Sequence, residues 1–113
     1  MAYTTTVKLD GDTKTYTLSP TVKKYTLMDL GFVKGRSGAF SFERSLDPTS
    51  PYQAAFKLKV TVNADLTGFK MTTVTGNGVQ RVNIFKNDAH PEAVEQLRYL
   101  LTNFIERDIL TEG

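Results

Sequence analysis

The sequence predicts an α+β fold, an antiparallel β-sheet covered on one face by a long C-terminal helix and a shorter helix. An amphipathic segment at 91–107 carries its apolar residues on one wide helical stripe. Several segments before it alternate apolar and polar residues, which is typical of strands with one wet face. The length of 113 residues suits one core, so we expect residues 1–113 to form a single domain.

The first elements of the chain predict a β-hairpin followed by a short helix. Residues 3–10 and 14–18 alternate in polarity, and Asp10-Gly11 between them is a common hairpin turn. Ser19-Pro20 can cap and begin a helix, and Gly31 suits the position just after a helix end. We expect this helix to run from Ser19-Pro20 through Met28, or from Thr26 to near Leu30.

Four strands are expected next, over 39–46, 54–62, 68–75 and 79–86. The second has the clearest period, since five apolar residues alternate with polar and basic ones: Ala54, Phe56, Leu58, Val60 and Val62. Gly76-Asn77-Gly78 predicts a tight turn between the last two strands. These short connections favour an antiparallel sheet.

The long helix begins at Pro91. Its apolar stripe consists of Ala93, Val94, Leu97, Leu100, Leu101, Phe104 and Ile105. Asp108 would fall inside this stripe, so we expect the helix to end near Arg107. Because a wide apolar stripe is unfavourable in water, the sheet must cover it.

The composition excludes several classes of site. The chain has no cysteine, which excludes disulfides, thiolate nucleophiles and cysteine-based metal centres. A single histidine, His90, cannot form a histidine-rich metal site, and we expect it to be structural or neutral. We expect no metal and no cofactor. The N-terminus does not resemble a signal peptide and no apolar run could span a bilayer, so we expect a cytoplasmic protein without a membrane partner.

Four basic residues of the predicted strands form the first candidate site: Lys57, Lys59, Lys70 and Arg81. If the strands pair as neighbours, these side chains can share the open sheet face with Thr61, Asn63 and Thr72. One interpretation is a solvated face that discourages pairing at the sheet edge. The other is a binding surface for an anionic small molecule, protein or nucleic acid.

Arg44 is the second candidate, because it interrupts the apolar phase between Phe42 and Leu46. A guanidinium there must pair with an acid, extend to water or sit at a bulge. We expect a buried pair with Glu43 or Asp47 and retain Arg44 as a possible ligand-binding residue.

Four stretches of the sequence resemble a known family: LSPTVKKYTLMDLGF, ERSLDPTSPY, AFKLKVTV and VNIFK. With the closing helix, they are similar to a family of small Firmicutes proteins of unknown function that is labelled "putative amino acid metabolism". The resemblance covers nearly the whole chain. It implies a fold like that of the TATA-binding protein, with a curved antiparallel sheet and helices on its convex side. It implies no catalytic residues.

These observations lead to one functional hypothesis and two alternatives. The first is a non-catalytic binding or accessory protein with a small-molecule ligand or a protein partner, and its link to amino-acid metabolism comes from the resemblance. The first alternative is a small enzyme that uses carboxylate, lysine or arginine chemistry in a pocket between sheet and helix. The second is nucleic-acid binding by the open sheet face. A net charge of only +2 and a lack of interleaved aromatic residues disfavour it.

Overall fold

The computed structural model describes residues 3–9, 14–46, 56–75, 80–81, 83–85 and 91–112. The described residues form short strands and two helices, of 6 and 16 residues. In chain order they are β1 (Thr6–Val7), β2 (Tyr16–Leu18), α1 (Lys24–Asp29), β3 (Val33–Lys34), β4 (Phe40–Ser45), β5 (Phe56–Val62), β6 (Phe69–Thr75), α2 (Pro91–Glu106) and β7 (Leu110–Glu112).

The strands form two antiparallel sheets. The larger has the order β3-β4-β5-β6, and the smaller has the order β1-β2-β7. Thr4 and Phe69 connect them, since each donates its backbone N–H to the carbonyl oxygen of the other, at 3.2 and 2.8 Å. The predicted α+β class with antiparallel sheets is confirmed. The likeness to the TATA-binding protein stays a prediction.

Helix α2 buries its apolar stripe in the core, as predicted. The buried residues of the stripe are Ala93, Leu97, Leu100, Leu101 and Phe104. Val94 and Ile105 are partly buried against the same core cluster. The inner face of the larger sheet supplies Phe40, Phe42, Leu58, Val60, Val62, Phe69 and Met71 to that cluster. The rings of Phe42 and Phe104 meet edge to face at 5.3 Å, which fixes α2 on this face.

Helix α1 begins later than Ser19-Pro20 and earlier than Thr26. Its N-cap is Lys23, which makes no capping hydrogen bond through its side chain. Both predicted starts are therefore wrong. The predicted end is confirmed: Gly31 has φ +106°, and the N–H groups of Gly31 and Phe32 donate to the carbonyls of Met28 and Leu27. This is the Schellman arrangement, in which glycine tolerates the left-handed conformation.

Helix α2 ends at Glu106, next to the predicted end. Asp108 takes the left-handed conformation with φ +61°, and the N–H of Ile109 donates to the carbonyl of Phe104 at 2.9 Å. The chain then reverses into β7, where Leu110 pairs with Leu18 of β2. This strand was not predicted from the sequence.

The predicted strands agree with β4, β5 and β6 within the described residues. The strand expected over 79–86 is wrong at Ile84 and Phe85, which lie in a turn where Asn83 Oδ1 accepts the N–H of Phe85 at 2.9 Å. The strand β3 lies between α1 and β4, where no strand was predicted from the sequence. The predicted turns at Asp10-Gly11 and 76–78 fall outside the described residues.

Candidate functional site

The outer face of the larger sheet, the one directed away from α2, is the first candidate surface. Glu43, Lys59 and Thr72 lie directly opposite one another on β4, β5 and β6. Directly opposite residues of antiparallel strands project to the same side. The next residue along β5, Val60, is in the core, so the row of Lys59 must face outward.

Two further rows flank this one. Ser41, Thr61 and Lys70 form the row on one side, and Ser45, Lys57 and Val74 form the row on the other. A single bridge pairs Val74 with Arg81 and extends the second row. The structure thus brings all four basic candidates of the strands onto the outer face: Lys57, Lys59, Lys70 and Arg81. Their role in binding stays a prediction.

The charges on the outer face are predominantly positive. Lys57 Nζ lies 3.2 Å from Glu43 Oε1, and this salt bridge is partly exposed. Among the described residues of these rows, the four cations outnumber the one carboxylate, Glu43, by three. Lys70 Nζ stands 4.5 Å from the centre of the Tyr3 ring, which places an aromatic side chain at one end of the face. Tyr3 could not be placed there from the sequence, because the Thr4–Phe69 bridge joins distant parts of the chain.

Arg44 lies apart from these cations, on the opposite side of the sheet. It is exposed, and its guanidinium stands 5.3 Å from the centre of the Phe42 ring. Glu43 points to the other face and pairs with Lys57, while Asp47 lies outside the described residues. The expected burial of Arg44 in an acid pair is wrong. Its stem follows the apolar face and its charged head reaches water over an aromatic ring.

The described part of the chain contains neither a cluster of metal ligands nor a helix that could span a membrane. No group of three or more histidine, aspartate or glutamate side chains among the described residues could hold a metal ion. None of the described helices is long and apolar enough to cross a bilayer. His90 lies outside the described residues.

Comparison with known proteins identifies the family. The family DUF1831, described as "putative amino acid metabolism", matches residues 1–111. The chain belongs to this family. It is similar to a solved DUF1831 family protein from Lactobacillus plantarum, with 95% identity over 100% of this chain and 99% of that chain. The TM-score between the two structures is 0.95. A comparison with curated proteins finds no match. The resemblance noted in the sequence is therefore confirmed.

In this DUF1831 protein, the carboxylate of Asp108 at the end of α2 forms a hydrogen-bonded cluster with two hydroxyl groups, which was not predicted from the sequence. Asp108 accepts hydrogen bonds from Thr21 Oγ1 and, at 2.9 Å, from Ser19 Oγ. These hydrogen bonds, that of Thr21 foremost, lower the pKa of Asp108. Desolvation opposes them, and the charge of Lys23 adds a lowering that is smaller than either effect. Asp108 thereby ties the end of α2 to the segment before α1, which indicates a structural role.

This cluster could not be predicted from the sequence, because its partners are far apart along the chain. Ser19 and Asp108 are 89 residues apart, so no local motif connects them. The same holds for Arg98 of α2, whose Nη1 donates to the hydroxyl oxygen of the buried Tyr16 at 2.9 Å. Both interactions fix α2 to the smaller sheet and its flanking segment.

A cleft of about 310 Å³ lies along the exposed side of α2. Its described lining consists of Glu92, Glu95, Gln96 and Tyr99. Two carboxylates make this cleft acidic, in contrast to the basic outer face, and Tyr99 is 62% exposed. An anionic ligand is therefore favoured on the outer face and disfavoured in the cleft.

Proposed function

We propose that the protein is a cytoplasmic, non-catalytic binding protein of amino-acid metabolism that binds a small anionic ligand on the outer face. The observation that carries this proposal is the strand register, which aligns Lys57, Lys59, Lys70 and Arg81 on one side of the sheet. The metabolic part of the proposal rests on the description of the family, and the cytoplasmic part is the expectation drawn from the sequence.

The hydrogen-bonding groups of the outer face also suit an anion. Lys59 and Lys70 are half-buried, so their stems lie along the sheet while their ammonium groups reach the surface. The hydroxyl groups of Thr61 and Thr72 lie in the same two rows. Ammonium and hydroxyl groups are the donors that carboxylates and phosphates accept from.

The composition of the interior favours binding over the alternative of an enzyme with a pocket between sheet and helix. Among the described residues, the buried polar side chains are Ser19 and Thr73. No described carboxylate, lysine or arginine is buried. Chemistry based on the described groups of these kinds would therefore have to take place at the surface, where water weakens electrostatic stabilisation of a transition state.

The position of Glu43 favours a small ligand over a nucleic acid. Its carboxylate lies among the cations of the outer face and would repel a continuous phosphate backbone. Tyr3 offers one stacking surface, beside Lys70. Single-stranded nucleic acids are usually bound by several aromatic side chains that stack on successive bases.

Isothermal titration calorimetry with glutarate, a simple dicarboxylate, tests the proposal. We expect the unaltered protein to bind glutarate and the double variant Lys59→Gln/Lys70→Gln to lose most of that binding. The matched control is Lys24→Gln/Lys34→Gln, which removes the same charge from α1 and β3 and should bind like the unaltered protein. Absence of glutarate binding, or equal loss in both double variants, would overturn the proposal. Thermal unfolding of each variant verifies its fold.

A further inference from the structure

Among the described residues of its three rows, the outer face contains one carboxylate, that of Glu43. Glu43 stands directly opposite Lys59 and forms its salt bridge with Lys57. The side chain of Glu43 remains 44% exposed. A carboxylate has about four acceptor sites, so Glu43 can accept from a second cation while Lys57 holds it in place.

Lys59 and Lys70 are diagonal neighbours on the outer face. Lys59 is opposite Thr72 of β6, and Lys70 lies two residues before Thr72. Diagonal neighbours in antiparallel strands are about 7–8 Å apart. In the described part of the chain, neither Lys59 nor Lys70 forms an ion pair with a carboxylate. Two anionic groups a few bonds apart can therefore reach both ammonium groups.

Building on the proposed function, we infer that the ligand of the outer face is an acidic amino acid. Its α-ammonium group binds Glu43, its α-carboxylate binds Lys59, and its side-chain carboxylate binds Lys70. The positive group of the ligand thus faces a carboxylate of the sheet, and its two negative groups face ammonium groups. The hydroxyl of Thr72 lies in the row of Glu43 and Lys59 and donates to the carbonyl oxygen of Thr73 at 3.4 Å, so recognition rests on the three charged residues.

This arrangement discriminates against two related classes of compound. A dicarboxylate without an ammonium group leaves Glu43 with no ligand partner and brings a like charge close to it. An amino acid with a neutral side chain leaves Lys70 with no ligand partner. Specificity of this kind comes from differences in electrostatic energy between ligands of nearly equal size.

The test is an NMR titration of the isotope-labelled full chain with L-glutamate, glutarate and L-glutamine. We expect L-glutamate to bind roughly two- to fivefold more tightly than either of the others, the range expected of one exposed ion pair. Glu43→Gln should abolish the preference for glutamate over glutarate and should strengthen glutarate binding, because it removes a like charge. Glu43→Asp should retain part of the preference.

The outcomes separate this inference from the proposed function. Equal affinities for glutamate and glutarate, with no change of preference in Glu43→Gln, would overturn the inference and leave a dicarboxylate site on the outer face. Chemical-shift changes with none of the three compounds would overturn both. Lys70→Gln gives an independent check, since it should make glutamate and glutamine bind alike. A preference for glutamate over glutamine that persists in this variant contradicts the assigned role of Lys70.

Discussion

Replacement of Phe104 by alanine is the sharpest test of the core. Phe104 is 2% exposed, and its ring lies 5.3 Å from that of Phe42 and 5.8 Å from that of Phe32. Truncation of a buried phenylalanine costs about 3–5 kcal/mol. Each aromatic contact adds about 0.5–1.5 kcal/mol beyond the buried area, so we expect a loss near the upper end of that range.

Urea denaturation followed by far-ultraviolet circular dichroism measures this loss, since the chain has no tryptophan to report by fluorescence. The matched control is Tyr99→Ala on the same helix, which is 62% exposed and should change the free energy of unfolding by no more than about 0.5 kcal/mol. A loss below about 1 kcal/mol in Phe104→Ala, or similar losses in both variants, would refute the burial of α2 against the sheet.

Three further predictions concern charged residues. Arg44→Met should change the free energy of unfolding by less than about 1 kcal/mol in urea, because an exposed cation–π contact contributes little; a loss of several kcal/mol would indicate a buried acid pair. The lowered pKa of Asp108 stabilises the fold above its ordinary value of 3.8 and ceases to do so as the pH falls through the folded-state pKa. Asp108→Ala should therefore have a lower urea midpoint than the unaltered protein at neutral pH, and the gap should narrow as the pH falls below 3.8; a gap independent of pH contradicts the assignment. Fluorescence anisotropy with mixed-sequence DNA should give a Kd no tighter than about 10⁻⁵ M at physiological salt. Submicromolar binding that falls steeply with salt, and is lost when Lys57, Lys59 and Lys70 are changed together to glutamine, would make the outer face a nucleic-acid site.

The parts of the fold that the sequence predicts well are those set by long, regular periods. The stripe of α2 from Ala93 to Ile105 and the alternation of β5 each repeat over many residues, so a single exception does not change the interpretation. The end of α1 was also predictable, because Gly31 is a local signal for a left-handed residue. The same alternation was enough to place Lys57 and Lys59 on one face.

The features that the sequence did not predict depend on contacts between distant segments. Ser19 has the chemistry of an N-cap, yet its hydroxyl donates to Asp108 and the helix begins five residues later. The strand β7 is three residues long and is stabilised by its pairing with β2, which is distant in the sequence. The alternation in β4 placed Arg44 on the apolar face of the sheet. It could not show that the side chain is exposed, because the exposure depends on where the aromatic ring of Phe42 lies.

The most direct test of the central claim is a crystal structure of the protein grown with saturating glutarate. The claim predicts the dicarboxylate on the outer face, with its two ends at the ammonium groups of Lys59 and Lys70. Glutarate bound in the cleft beside Tyr99, or between α2 and the sheet, would contradict it. So would an outer face that stays empty at saturation.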